Sequence, residues 1–335
     1  MGTVLFYLVA ALAMVVANKW VLNKTDVPLF FLFSQLVIAV VLFLIAHAMG
    51  LLQVPLDFDT QVLKGLIPTI ALNVIGLSFS NYTLKYVDAS FYQVARGMVL
   101  PFTVCTSYVF LHSRPSLLVL LACSFVTSGF FIGVFLDGTP VSLVGISFGV
   151  ASSMITAMHS VVIKRSLEVV KGSALHLSWY TNFVSALILL PLLLLTGEGP
   201  GVHELLFSNP IVLEGEISPL TAFMWGSAVT GVLGFLMSIA SLLSIKVTSP
   251  ITHMVSSAVR GVAASVLGVW FFEDIISNGR AASIGTILLG SIYYTWVKHQ
   301  ESQTPKASYD RVPPEDLEKG SGDMSPTKRN RTPED

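Results

Sequence analysis

Ten apolar runs, each about as long as a membrane-spanning helix, constrain the fold of this chain more than any other feature. A helix that crosses the hydrocarbon layer needs about 20 mainly apolar residues. Several runs carry no charge over their whole length, and glycine and serine within them let helix backbones approach closely in lipid. The runs lie at roughly 3–23, 28–49, 64–84, 89–111, 116–136, 141–163, 174–196, 219–242, 249–271 and 281–298. The sequence therefore predicts an all-α polytopic membrane protein with ten transmembrane helices.

Composition agrees with this class. Of 335 residues, 53% are hydrophobic and only 12% are charged, whereas soluble domains carry about twice that charged fraction. The net charge of −1 argues against nucleic acid as a partner. Cys105 and Cys123 both lie inside apolar runs, so no disulfide framework is expected.

The distribution of polar residues predicts the orientation and the domains. The first run lacks a preceding cationic segment and reads as a retained helix more than a signal peptide. An even number of spans puts both termini on one side, and the Lys/Arg bias of the loops places them in the cytosol. Residues 1–298 are expected to form the ten-helix membrane domain. Residues 299–335, rich in proline, serine and charge, are expected to form a disordered cytosolic tail.

A short internal repeat divides the chain into halves. LKYVDASFYQVARG at residues 84–97 and IKVTSPITHMVSSAVRG at 245–261 each place Lys-Val or Lys-Tyr-Val at a helix boundary, then a polar break and a helix with Arg-Gly. These segments open the fourth and ninth runs, so we expect two repeats of about 1–137 and 138–298. Because five is odd, the second repeat must be inverted. Inverted repeats are typical of secondary transporters, whose site lies at the repeat interface.

Three cations lie well within the runs: Lys19, Arg96 and Arg260. No Asp or Glu lies within the runs, and Asp88 and Asp137 stand at boundaries. A buried cation must be compensated by water, backbone carbonyls or an external anion. A diphosphate suits the guanidinium fork. The alternative is that each arginine bonds free carbonyls at a helix break.

Other classes of function are disfavoured. A proton-coupled cation exporter needs a carboxylate within the membrane. A membrane enzyme needs a positioned acid, base or metal cluster, and the histidines show no metal-ligand spacing. No nucleotide-hydrolysing GxxxxGK[ST] loop is present. We therefore expect no enzyme activity, no cofactor and no metal, and secondary transport of an anion remains.

Polar side chains in two runs are candidates for the rest of an organic anion. HLSWYTNFVSA at the start of the seventh run groups Trp179, Tyr180, Thr181 and Asn182. Aromatic faces beside an amide suit a nucleobase, but an interfacial aromatic belt gives the same pattern. In the fourth run Tyr92 and Gln93 precede Arg96, and Tyr92 shares a helix face with it. Tyr92 and Gln93 are candidate contacts for a sugar or ribose.

At these residues the chain resembles the drug/metabolite transporter superfamily in its nucleotide-sugar and triose-phosphate branch. More narrowly, residues 1–298 look like the Golgi GDP-fucose transporters. The resemblance is carried by Asn18-Lys19, FSNYTLKYV, FYQVARG, KVTSPITHMVSSAVRG and YTWVK. It implies exchange of cytosolic GDP-fucose for lumenal GMP across the Golgi membrane by alternating access. The implied partners are the nucleotide-sugar, the nucleoside monophosphate and lipid, and a homodimer stays open.

The resemblance also implies roles for individual residues. Arg260 would bind the phosphates, with Arg96 and Lys19 as further cations. Tyr180 and Asn182 keep a Phe-Tyr-Asn-Asn pattern that reads guanine in such carriers, whereas Trp179 and Thr181 depart from it. A UDP-sugar or other phosphorylated-metabolite exchanger therefore stays an alternative. So does a non-transporting membrane regulator that binds partners through its tail.

Overall fold

The protein is helical throughout the residues that the structure describes. The structure, a computed structural model, describes residues 2–57, 59–137, 142–208, 217–247 and 250–303, with the side chains of residues 2–5, 7, 8, 164 and 239–260 excepted. Within these ranges no strand is present. The prediction of an all-α chain is therefore confirmed.

Twelve helices occur in the described ranges. The first six are α1 Gly2–Lys24, α2 Pro28–Ala48, α3 Thr60–Tyr86, α4 Ala89–Gly97, α5 Val99–Leu111 and α6 Leu117–Phe135. The next six are α7 Leu143–Val169, α8 Ala174–Leu195, α9 Gly199–Phe207, α10 Pro219–Val247, α11 Pro250–Phe272 and α12 Asn278–Gln303. The short helix α9 lies between two predicted runs. The predicted tail begins at residue 299, but α12 continues to Gln303, and residues 304–335 lie outside the description.

Seven spans in the described residues are long and apolar enough to cross a membrane. They are α2, α3, the α4–α5 pair as Ala89–Leu111, α6, α7, α8 and Pro219–Ser238 of α10. The helices α1, α11 and α12 occupy the other three predicted runs. A multi-pass membrane protein is thus shown, while ten spans in two inverted repeats stay a prediction.

The pattern of helix packing supports that division. The helix α3 packs against α7, and α1 packs against α10. In the same way, the contact of α2 with α10 corresponds to the contact of α8 with α3. The contacts of α4 and α5 with α7 correspond to the contact of α11 with α1. When the first five spans are matched in order with the second five, these contacts exchange with one another, whereas the α1–α3 and α4–α6 contacts have no counterpart of similar extent in the described residues. The matched contacts are those expected of two related five-helix units.

The fourth predicted run is broken into α4 and α5 at Met98. The amide of Met98 bonds to the carbonyl of Ala95 at 3.2 Å rather than four residues back. Pro101 follows in the first turn of α5, where its ring cannot donate a hydrogen bond to the carbonyl of Gly97. The break lies two residues after Arg96.

The two ends of the helical unit are defined by their connections. Asp26, between α1 and α2, lies near Lys85 at the end of α3, and Asp137, after α6, bonds to Arg280 at the start of α12. We call this the α3–α4 end. At the other end, which we call the α2–α3 end, Trp179 at the start of α8 bonds to Pro55 in the connection between α2 and α3.

A glutamate from the second half caps α2 at the α3–α4 end. The residue before α2, Val27, offers no side-chain cap. Instead the carboxylate of Glu198, 8% exposed, accepts from the amides of Leu29 at 3.0 Å and Phe30 at 3.0 Å, and from the hydroxyl of Tyr82 at 3.0 Å. A carboxylate at a helix N-terminus satisfies orphan amides and complements the helix dipole.

Replacing this carboxylate by an amide should therefore destabilise the fold. In Glu198→Gln one acceptor oxygen becomes a donor that faces other donors, and we expect a loss of about 1–3 kcal/mol. Thermal unfolding in detergent, followed by size-exclusion chromatography, measures it. Glu204→Gln is the matched control, since Glu204 is exposed on α9. Equal melting temperatures for the two variants would contradict the capping role.

Candidate functional site

A cavity of about 450 Å³ lies among α4, α5, α7, α11 and α12. Its wall is largely aliphatic, from residues such as Val94, Leu100 and Ile287. The polar side chains in the wall come from four of these helices: Gln93, Arg96, Thr103, Ser160, Ser291, Tyr294 and Thr295. An apolar pocket with a few converging polar groups, one of them cationic, suits an organic anion.

Arg96 reaches this cavity from α4 and is held by an aromatic residue one turn earlier. Its Nη1 donates to the hydroxyl of Tyr92 at 2.9 Å, and its Cζ lies 5.6 Å from the centre of the same ring. The hydroxyl of Tyr92 lies 2.6 Å from Oγ of Ser80 on α3. Either hydroxyl of this pair can be the donor, and in both cases the bond joins Tyr92 to α3. The chain from Ser80 through Tyr92 therefore orients Arg96.

Close packing of α7 on α4 brings a second polar wall to Arg96. A Cβ at Gly149 would lie 2.8 Å from the Cβ of Ala95, so a larger residue there would separate the helices. One turn on, Ser153 donates to the carbonyl of Ala95 at 2.7 Å. Ser160, two turns after Ser153 on α7, is thereby placed in the wall of the cavity.

The second copy of the sequence repeat also meets this cavity. Gly261 and Val262 of α11 line it. Arg260 precedes them in α11, but its side chain lies outside the described residues. The two Arg-Gly pairs are thus brought to one cavity: Arg96 and Gly97 from α4, and Gly261 from α11.

Lys19 is not brought to this cavity. Lys19 is 6% exposed, and its ammonium donates to the carbonyls of Leu84 at 2.9 Å and Val87 at 2.7 Å. The charges of Asp88 and Asp274 also act on it. Carbonyls at the end of α3 therefore compensate Lys19, which was the alternative considered for the membrane cations.

The predicted nucleobase segment is also separate from the cavity wall. At the start of α8, Nε1 of Trp179 donates to the carbonyl of Pro55 at 2.8 Å, and the hydroxyl of Tyr180 donates to that of Asp57 at 3.3 Å. The amide of Asn182 donates to the carbonyl of Ser178 at 2.7 Å within its own helix. Thr181 is half-buried. Of the predicted site residues, Arg96 and Gln93 line the cavity, and Tyr92 acts behind Arg96.

The structure adds site residues that sequence analysis missed. Ser291, Tyr294 and Thr295 form a polar strip on α12 and line the cavity. Their spacing of three and four residues is the available signal, since it puts them on one helix face. Arg280, which precedes the tenth predicted run, is 1% exposed and paired with Asp88 and Asp137. In the described ranges no group of three His, Cys, Asp or Glu could hold a metal ion.

A bundle of apolar helices around a partly polar cavity whose lining includes the cation Arg96 is typical of a membrane carrier of small anionic molecules. More particularly, residues 2–295 match the Triose-phosphate Transporter family. The chain belongs to this family. The match covers all the helices that line the cavity.

Individual relatives agree with this assignment. The chain is 31% identical over 303 residues to GDP-fucose transporter 1 of Dictyostelium discoideum, covering 88% of this chain and 79% of the relative. It is 31% identical to GDP-fucose transporter 1 of Mus musculus, covering 89% and 82%. It is 31% identical to the Golgi GDP-fucose transporter of Drosophila melanogaster, covering 88% of each chain.

Removing the hydroxyl that orients Arg96 tests the cavity's geometry. Tyr92→Phe keeps the ring under the guanidinium but deletes both hydrogen bonds, so Arg96 should sample other rotamers. We expect ligand affinity to fall about tenfold or more, as for loss of one hydrogen bond to a charged group, while maximal transport rate changes little. Initial rates across a range of ligand concentrations separate the two quantities. A fall in maximal rate with unchanged affinity would contradict the positioning role.

Proposed function

We propose that this protein exchanges a cytosolic nucleotide-sugar, GDP-fucose or a near relative, for lumenal GMP across the Golgi membrane. The observation that carries the proposal is the guanidinium of Arg96 in a cavity that helices from both halves of the chain line. Family membership and the names of the relatives support a nucleotide-sugar as the cargo. The name of the Drosophila relative supports the Golgi membrane.

The chemistry of the cavity fits the phosphates first. A guanidinium among aliphatic side chains gains most from a doubly charged partner that accepts two parallel hydrogen bonds. The cavity volume of about 450 Å³ lies within the range of sites for small organic ligands. We assign the phosphates to Arg96 and Arg260, and the ribose or sugar to Gln93 and the hydroxyls of Ser291 and Tyr294.

Two earlier assignments change in the light of the contacts. Lys19 is left out of the phosphate site, because its ammonium already has two carbonyl partners. Tyr92 is assigned to orient Arg96 rather than to contact the sugar. The base contacts of Tyr180, Thr181 and Asn182 rest on the resemblance of HLSWYTNFVSA to guanine-reading segments, and they remain part of the proposal.

Transport would proceed by alternating access. The matched contacts, α3–α7 with α1–α10 and α3–α8 with α2–α10, support two units that can rock about the cavity between them. Residue 26 and residues 87–88 would then lie at the lumenal end, with both termini cytosolic. The α3–α4 end is thus the proposed lumenal end.

Counterflow in proteoliposomes tests the proposed exchange directly. Vesicles preloaded with GMP, UMP, CMP or buffer are offered labelled GDP-fucose, with GDP-mannose and UDP-galactose as competitors. We expect uptake only with GMP inside and weak competition by UDP-galactose. Uptake driven by UMP would move the assignment to UDP-sugars. If folded protein takes up no labelled GDP-fucose with any of these nucleotides inside, the alternative of a non-transporting membrane regulator is favoured. Removal of residues 304–335 would then abolish function.

The cations of the two Arg-Gly pairs should be needed for transport. Arg96→Ala and Arg260→Ala each remove charge-assisted hydrogen bonds worth about 1.5–3 kcal/mol, so affinity for the nucleotide-sugar should fall about ten- to hundredfold or more. Competition binding to the purified variants measures the loss. Arg165→Ala is the control, since Arg165 is exposed on α7. Near wild-type affinity in both test variants would disprove the anion site.

Restoring an amide on α8 should sharpen the choice of base. In Thr181→Asn a hydroxyl is replaced by a donor-acceptor pair that matches a guanine edge. The preference for GDP over UDP in competition should rise about tenfold or more, the range for one well-made specific hydrogen bond. Thr286→Asn on α12 is the control for adding an amide elsewhere. An unchanged GDP/UDP ratio would remove α8 from the base site.

A further inference from the structure

One buried ion network joins four segments at the α3–α4 end. Arg280, the third residue of α12, is 1% exposed. Its Nε donates to Asp137 Oδ2 at 2.7 Å, and its Nη1 donates to Asp88 Oδ2 at 2.9 Å and to Ser90 Oγ at 2.8 Å. The guanidinium also lies 5.9 Å from the ring centre of Phe91.

Further bonds extend the network to the end of α11. Asp274, 8% exposed, accepts the amide of Ser90 at 3.1 Å through Oδ2. Ser277, before α12, donates to Asp137 Oδ1 at 2.6 Å. The segments around Asp88 and Asp137 belong to the first half of the chain, whereas Asp274 and Arg280 belong to the second. Every one of these bonds therefore crosses between the two halves.

The network lies directly beyond the cavity. On α4, Gln93 and Val94 line the cavity within about one turn of Ser90. On α12, Ile284 lines it one turn after Arg280. A ligand that left the cavity between α4 and α12 toward the α3–α4 end would have to pass between Ser90 and Arg280.

We propose that the Arg280 network is the gate that closes the cavity at the α3–α4 end. This inference rests on the proposed transport function, because a carrier must open that end once in each cycle. Opening separates Arg280 from Asp88, Asp137 and Ser90 as the two halves move apart. Asp88 is the outermost partner, with its side chain 49% exposed, whereas that of Asp137 is fully buried. Water can thus enter first at Asp88.

A second ion pair at the same end lies within the first half of the chain, so it would not act as a gate between the halves. Lys85 pairs with Asp26 and also donates to the carbonyls of Leu22 at 3.3 Å and Thr25 at 2.7 Å. All of these residues belong to the first half and to neighbouring helices, so rocking of the halves leaves their contacts intact. Lys85 therefore provides a matched control at the same end.

Accessibility of a reporter cysteine tests the gate without a transport assay. Ile284→Cys is placed in a chain with Cys105→Ser and Cys123→Ser, and sealed vesicles of known orientation receive a membrane-impermeant maleimide at the α3–α4 end. Arg280→Gln should raise the labelling rate about tenfold, because lost charge-assisted bonds shift the closed–open equilibrium by about that factor. Lys85→Gln should leave the rate unchanged.

Two milder variants keep the test decisive if Arg280→Gln does not fold. Asp88→Asn removes the exposed partner and should raise labelling, whereas Arg280→Lys keeps the charge and should raise it less than Arg280→Gln does. If Arg280→Gln and Asp88→Asn are both labelled at the rate of the parent protein, the proposal that this network is a gate is overturned. Since labelling needs no substrate, absence of GDP-fucose exchange in the parent protein would refute the proposed cargo separately.

Discussion

Every charge that this chain places among apolar helices must be compensated within a medium that offers no water. The structure meets this requirement in several ways. Lys19 has backbone carbonyls, Glu198 has helix-terminal amides, and Arg280 has carboxylates. Arg96 contacts a neutral phenol and faces a cavity. Lys19, Glu198 and Arg280 thus stabilise the fold through these bonds, whereas Arg96 is a cation that lines the cavity.

The charged side chains that stabilise the fold through these bonds lie at one end of the helical unit. Lys19, Glu198 and Arg280 all bond to residues at the α3–α4 end, and the bonds of Glu198 and Arg280 cross between the halves. The described contacts at the α2–α3 end are of another kind. Trp179 and Tyr180 reach single carbonyls of a connecting segment, at 2.8 and 3.3 Å. Neutral hydrogen bonds are weaker than charge-assisted ones, so among the described contacts those at the α3–α4 end cost more to separate.

The sequence alone predicted the helical segments, but it did not predict the partners of the buried charged side chains. Length and apolarity placed the helical segments, but the break at Met98 was not predicted. Pro101 alone does not mark it, since Pro68 and Pro191 lie inside unbroken helices. Lys19 and Arg96 look alike in sequence, since each is a cation in an apolar run. Only the fold shows that the end of α3 meets Lys19. Arg280 pairs with residues 143 and 192 positions away, and no local pattern encodes such a distance. The α12 strip of hydroxyls was visible by its spacing.

Two arginines near the starts of the fifth and tenth predicted spans differ in their burial. Arg114 lies just before α6, as Arg280 lies at the start of α12, and these helices are the fifth and tenth predicted spans. Arg280 is buried among carboxylates, whereas Arg114 is exposed. The arginines near the starts of the fifth and tenth predicted spans are thus in different local environments, one exposed and one among carboxylates. In the proposed transport cycle, a rotation of the halves would exchange such environments without a change of fold.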